Sequence, residues 1–157
     1  MDTVSTYAPW SYLLQLPHDP RAPRVARMTL RAVLGGHGLS ELLDPAELLA
    51  CELVTNAYRY SEGPSTLRLR YMDGSRLRVS VWDTNPVIPP PFDKPPGALR
   101  GVPDVGGDDS DGGRGLLLVQ RCADNWGGYP LGDDLFGRGG KLLWFELGPR
   151  PAEACAA

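Results

Sequence analysis

The stretch DPAELLACELVTNAYRYS, residues 44–61, decides the fold of this chain. Asp44 precedes a proline and stands three residues before Glu47, and together they form a typical helix start with a capping box. Apolar residues then recur every four positions and should face a core. Glu52 and Asn56 recur at the same interval on a neighbouring face. The stretch therefore predicts a helix that carries a carboxylate and a carboxamide one turn apart.

A second patch, GGRGLLLV at residues 112–119, precedes another apolar helical pattern. Glycine N–H groups at a helix start allow a phosphate to approach closely, and the helix dipole adds favourable charge. The patch is neither a P-loop nor a dinucleotide fingerprint, because it lacks Gly-Lys-Ser/Thr and does not directly follow a strand. A simple flexible hinge is the alternative. Together the two patches predict a site for a metal-bound polyphosphate.

Four polar side chains are candidates for the chemistry of this site. The carbonyl oxygen of Asn56 is a hard ligand that suits Mg²⁺, and Glu52 could take a proton from an attacking hydroxyl. Arg59 could reach a phosphate, and Asp83, at the end of a predicted strand, could accept a hydrogen bond from an exocyclic amine such as that of adenine. Each also has an ordinary interpretation, as part of a solvated helix face, as a surface arginine or as an aspartate in a turn.

The rest of the pattern gives the order strand, helix, helix, hairpin, proline-rich stretch, helix, hairpin. Residues 84–113 are rich in proline, glycine and aspartate and predict an active-site lid or disorder. Strands in antiparallel pairs with helices between them indicate a two-layer α+β sandwich. We expect one domain at residues 10–148 with flexible tails at 1–9 and 149–157. Helices and strands are expected near residues 12–16, 20–34, 44–61, 66–71, 77–82, 116–123, 126–131 and 141–147.

The composition predicts a cytoplasmic protein. The formal net charge of −3 argues against a general nucleic-acid binder, which would need a concentrated basic patch. No apolar run approaches the roughly 18 residues that span a bilayer, and the first residues lack a signal-peptide pattern. Cys51, Cys122 and Cys155 show no metal-ligand spacing and are interpreted as reduced thiols. We therefore expect no direct contact with nucleic acid or membrane.

These motifs resemble those of the GHKL ATP-binding superfamily, whose types include gyrase, heat-shock chaperone, histidine kinase and mismatch repair. The chain looks most like its small anti-sigma-factor serine/threonine kinases of the actinobacterial type, over about residues 14–147. Residues 52–57, ELVTNA, are similar to the N box of the family, and residues 81–83, VWD, to its adenine box. Residues 113–119, GRGLLLV, are similar to its second glycine box, and residues 140–147 match its last strand.

The resemblance implies a Bergerat-type fold, in which helices cover one face of a mostly antiparallel mixed sheet and a Pro/Gly-rich lid closes over ATP. It implies ATP and Mg²⁺ as cofactors, with Glu52 as general base and Asn56 as the metal ligand. It also implies that Asp83 reads adenine and that residues 113–116 wrap the phosphates. The residues expected to contact the nucleotide are Asn56, Arg59, Asp83, Gly113, Arg114, Gly115 and Leu116.

The implied function is that of an ATP-dependent protein serine/threonine kinase that regulates transcription through partner switching. Its expected partners are a sigma factor, an anti-sigma antagonist that it phosphorylates, or both, and a homodimer is possible. The alternative is a nucleotide-regulated binding module without significant kinase activity. Glu52 favours the kinase, because a binding module does not need it. A histidine kinase is not expected, because the chain is too short for a dimerisation helix pair with a phospho-accepting histidine.

Three positions depart from the family pattern. Tyr60 stands where the small kinases usually carry histidine, and Asn85 stands where the superfamily has the first glycine of the adenine box. Leu142 stands where relatives usually have threonine, a side chain that helps hold the water and the carboxylate around adenine. The sequence therefore predicts a weakened adenine site at position 142.

Overall fold

Helices and strands follow one another in the order that the sequence predicts. The computed structural model describes residues 9–93, 114–132 and 139–149. Most of the predicted lid, at residues 94–113, and the tails at 1–8 and 150–157 lie outside the described residues. The helices are α1 (Ala22–Gly36), α2 (Leu43–Tyr60) and α3 (Arg114–Cys122), and the strands are β1 (Trp10–Leu16), β2 (Ser65–Met72), β3 (Arg76–Asp83), β4 (Asn125–Pro130) and β5 (Lys141–Leu147).

The described strands form one sheet in the order β1-β2-β3-β5-β4. Every neighbouring pair is antiparallel, so the described sheet is not mixed as the resemblance implied, whereas the α+β class is confirmed. The β2–β3 hairpin turns at residues 73–75, as its Asp-Gly pair predicts. The last strand in the chain, β5, lies between β3 and β4. Residues far apart in sequence therefore become neighbours across β3 and β5.

The two faces of the sheet differ because side chains alternate along each strand. One face packs under the helices and carries the core, in which Leu67, Val79 and Phe145 are almost completely buried. The other face lines an open groove that includes Trp82 and Leu142. The core residues on the sheet and helices include Leu30, Leu34, Leu49, Leu53, Leu67, Leu69, Leu77, Val79, Val81, Val119, Leu143, Phe145 and Leu147.

The start of α2 differs from the predicted capping box. The helix begins at Leu43, after a short 3-10 turn at Ser40–Leu42, and no side chain caps it. The backbone N–H of Leu43 donates to the carbonyl of Ser40, so the preceding turn leads directly into the helix. Glu47 pairs instead with Arg31 of α1, with 3.0 Å between Oε1 and Nη2.

The first part of the predicted lid packs against the domain. Phe92 is almost completely buried, and its ring meets the edge of Trp126 at 5.6 Å between centroids. The first residues of the stretch, 84–93, therefore pack against the domain, because one buried aromatic ring anchors them to the core. The lid prediction for residues 94–113 stays a prediction. None of the helices in the described part of the chain is long and apolar enough to cross a membrane.

Candidate functional site

The two sequence patches meet where α2 passes the start of α3. The long helix supplies its polar face and the glycine-rich helix supplies its first turn, and together they enclose a small cleft. Its lining residues are Glu52, Thr55, Asn56, Arg59, Tyr60, Gly115 and Leu116. The structure therefore brings together five of the predicted site residues, Glu52, Asn56, Arg59, Gly115 and Leu116, from two separate elements.

Asn56 carries an unsatisfied oxygen at this cleft. The residue is 5% exposed, and its Oδ1 is buried without a hydrogen-bond partner among the described residues. Leaving a buried acceptor unpaired costs about 1–3 kcal/mol. An amide oxygen held in this way suits a hard cation, which takes oxygen ligands. The residue set therefore fits Mg²⁺ at this position, with phosphate oxygens and water completing the coordination.

Glu52 lies directly against the first turn of α3. A Cβ atom at Gly115 would overlap the Glu52 carboxylate, so glycine at this position leaves room for the carboxylate in its present place. Burial raises the pKa of the Glu52 carboxyl, and the nearby positive charge of Arg59 opposes that shift. A carboxyl with a raised pKa beside a cleft is suited to accept a proton.

The remaining phosphate-site residues divide into described and undescribed positions. Leu116 is 2% exposed and anchors the start of α3 in the core. Arg114 is the first residue of that helix. Gly113 lies outside the described residues. In the described residues, the predicted phosphate-wrapping role of residues 113–116 is therefore supported only by the position of the start of α3 and by Gly115.

Asp83 ends β3 in a buried ion pair that the sequence reasoning missed. Lys141 is its register partner at the first position of β5, and both side chains are almost completely buried, at 2% and 1% exposure. The Nζ of Lys141 lies 2.8 Å from Oδ2 and 2.9 Å from Oδ1 of Asp83. Burial raises the pKa of the Asp83 carboxyl, while the ammonium and the Asn85 N–H oppose that shift.

Gly140 makes the close approach of these two strands possible. Its φ of +104° lies in a region that favours glycine, and a Cβ there would overlap the carbonyl oxygen of Asp83. The sequence contained part of the information needed to predict the pairing of Lys141 with Asp83. A lysine directly after a glycine, at the head of an otherwise apolar strand, would pair with Asp83 if β3 and β5 were recognised as antiparallel neighbours.

Asn85 connects the Asp83 end of the site to α2. Its backbone N–H donates to Asp83 Oδ1 at 2.8 Å, and its side-chain Nδ2 donates to the carbonyl of Tyr60 at 2.7 Å. Its Oδ1 accepts from the N–H of Val87 at 3.0 Å, and its carbonyl accepts from Lys141 Nζ at 3.3 Å. A glycine has no side chain for two of these bonds. This departure from the family pattern therefore fixes the loop after β3 against α2.

The expectation for Leu142 is corrected by the sheet register. Leu142 pairs with Trp82, and both line the groove on the face opposite the helices. Side chains alternate along a strand, so the residue that faces the Asp83 carboxylate is Lys141. Tyr60, the third departure, is about half exposed at the cleft. The β5 residue that bears on the carboxylate is thus Lys141, at the position before Leu142.

Two comparisons with known proteins bear on this arrangement. A search of curated protein sequences found no significant match. A family model described as a histidine kinase-like ATPase domain matches residues 16–132, which run from the last residue of β1 through β4 and include the α2 helix, the end of β3 and the start of α3. This match covers most of the chain and agrees with the five-stranded α+β fold. The chain therefore belongs to the histidine kinase-like ATPase (GHKL) domain family.

Proposed function

We propose that this protein is an ATP- and Mg²⁺-dependent serine/threonine kinase of the anti-sigma type, which regulates transcription through partner switching. The observation that carries the proposal is the orphaned Oδ1 of Asn56 in the same small cleft as the Glu52 carboxylate. The first offers a metal ligand and the second offers a base. Membership of an ATPase domain family supports the nucleotide, and the retention of Glu52 supports transfer over simple binding.

The chemistry assigned to the chain is mostly positioning. Asn56 would hold Mg²⁺ against the phosphates, where the ion supplies charge neutralisation. Arg59 and the first turn of α3 add positive potential at the same cleft. Glu52 would accept the proton of a serine hydroxyl as its oxygen bonds to the γ-phosphorus and the bond to the bridging oxygen of ADP breaks. The substrate would be the anti-sigma antagonist, and the regulated partner a sigma factor.

A nucleotide-regulated binding module is the second candidate, and the Asp83–Lys141 pair favours it. The proposed base-reading carboxylate is almost completely buried and already paired. A nucleotide would reach it only when the surrounding segment moves, which suits a protein whose binding surface responds to occupancy.

The experiment that separates the two candidates is Glu52→Gln. We expect ATP affinity, measured by calorimetry, to change little because the amide is nearly isosteric. Phosphate transfer to a serine-bearing partner co-purified from the host should fall by roughly 10²–10⁴-fold. Glu47→Gln is the matched control, because Glu47 lies on the same helix but pairs with Arg31 on α1. If the wild type binds a partner in a nucleotide-dependent way but transfers no phosphate to it, the binding-module function replaces the kinase.

A further inference from the structure

The ion pair at the end of β3 leaves Asp83 with one open acceptor position. A carboxylate oxygen accepts about two hydrogen bonds. Oδ1 accepts from both the Asn85 N–H and the Lys141 ammonium, at 2.8 and 2.9 Å. Among the described residues, Oδ2 accepts only from Lys141, at 2.8 Å. Oδ2 therefore keeps one acceptor position that no described donor uses, and because Asp83 is buried, a ligand would reach it only when the surrounding segment moves.

The ammonium of Lys141 has no donor left for a ligand. Its three N–H groups meet Asp83 Oδ1, Asp83 Oδ2 and the carbonyl of Asn85. The ion pair can therefore accept a hydrogen bond from a ligand, at Asp83 Oδ2, but it has no N–H group left to donate one. An amino group at position 6 of a purine matches this pattern, because it donates. An oxo group at the same position does not, because it only accepts.

We propose that Lys141 is a positioning residue that fixes Asp83 as an ionised acceptor, and so makes the site select a 6-aminopurine over a 6-oxopurine nucleotide. The proposal rests on the proposed function, in which Asp83 faces the base. Lys141 acts through Asp83 and does not touch the base itself. Its flanking neighbour Leu142 faces the other side of the sheet and has no part in the selection.

Removal of the Lys141 ammonium should change the Asp83 side chain from a hydrogen-bond acceptor into a hydrogen-bond donor. The groups that act on the carboxylate are the Asn85 N–H from the loop and Lys141 from β5, while Glu52 and Arg59 of α2 line the separate small cleft. Without Lys141, no positive charge among these groups offsets burial, and the carboxyl takes up a proton. A protonated carboxyl donates, and it then suits an oxo group at position 6.

The test compares ATP with inosine triphosphate, which carries an oxo group in place of the 6-amino group, by calorimetry on the full chain with Mg²⁺. We expect the wild type to prefer ATP by about 10-fold or more, the factor for one mismatched polar contact, with a ratio that is constant from about pH 6 to about pH 8. Lys141→Met should reduce the preference below about twofold or reverse it near neutral pH. The preference should return as the pH rises, because the carboxyl ionises again.

Two further variants keep the result interpretable. Leu142→Met is the matched control and should retain the wild-type ratio. The double variant Asp83→Asn with Lys141→Met removes both charges, so it remains testable if the single variant does not fold. Its amide can present either group, and the ratio should fall to about one. An unchanged ratio in Lys141→Met or in the double variant overturns the inference alone. A wild type that binds neither nucleotide overturns the proposed function as well.

Discussion

The Asp83–Lys141 pair should behave as one unit in a double-mutant cycle of stability. The perturbations are Lys141→Met, Asp83→Asn and the two together, measured by urea unfolding without nucleotide. At 2.8 Å and an effective dielectric constant of about 20, the direct attraction is about 6 kcal/mol. The loss of water from two ions opposes it by several kcal/mol each, so the net value of the pair is small.

The cost of losing one partner is large because the other group stays buried and must either keep an unpaired charge or change its protonation state. Each single change should lower the free energy of unfolding by about 3–5 kcal/mol, whereas the double change should cost less than about 2 kcal/mol. The coupling between the two positions is then at least about 4 kcal/mol. The more exposed pair of Arg31 and Glu47 provides the control cycle and should give less than about 1 kcal/mol.

The pH dependence of the Lys141→Met variant gives a second measure of the same effect. Burial holds the folded-state pKa of Asp83 above its unfolded value once the ammonium is gone. The sign follows from linkage: stability is retained at low pH, where the carboxyl is protonated, and is lost as the pH rises through the folded-state pKa. Single-variant costs that add to the double-variant cost within about 0.5 kcal/mol would refute this account of the pair.

Four further outcomes are expected at the proposed nucleotide site. Asn56→Ala should remove the Mg²⁺-dependent part of ATP binding in calorimetry without lowering the free energy of unfolding, because the lost oxygen has no partner in the described part of the chain. A retained Mg²⁺ effect would contradict the role of Asn56 as a ligand. Gly115→Ala should lower phosphate transfer by about 10-fold or more, since its Cβ displaces the Glu52 carboxylate. Gly36→Ala, whose Cβ meets no atom within 4 Å, should not. Leu142→Thr should leave ATP affinity within about twofold of wild type, because the side chain at position 142 lies on the face of the sheet away from the helices. Tighter ATP binding would instead support the role beside adenine that the resemblance implies for this position. Phosphate transfer should rise with pH through a midpoint above the ordinary range of a glutamate, since burial raises the pKa of Glu52, and a midpoint in the ordinary range would exclude Glu52 as the titrating base.

The sequence predicted the parts of the fold that local patterns encode. The four-residue spacing in α2 placed Glu52 and Asn56 on one face, and the Asp-Gly turn placed the β2–β3 hairpin. Both follow from periodicity and turn chemistry within a few residues. The meeting of the two patches could also be expected, because the motifs of α2 and α3 resemble one family.

Features that depend on sheet register could not be read from local patterns. Lys141 lies 58 residues from Asp83 in sequence, and only the pairing of β3 with β5 makes them partners. A shift of one residue in a strand moves a side chain to the other face, which is why Leu142 was placed beside the carboxylate in error. The start of α2 also escaped prediction, because a backbone turn replaced the expected side-chain cap.

The place of β5 within the sheet has a consequence for synthesis on the ribosome. Among the described pairings, β4 is joined to the rest of the sheet only through β5, which is made after it. The nascent chain can form α1, α2 and the β1-β2-β3 meander early, but Asp83 then lacks its cation. Until residue 147 has left the exit tunnel, the edge of β3 stays open and the base-reading end of the site is incomplete. A nascent chain that lacks its last strand should therefore depend on chaperones until translation passes this point.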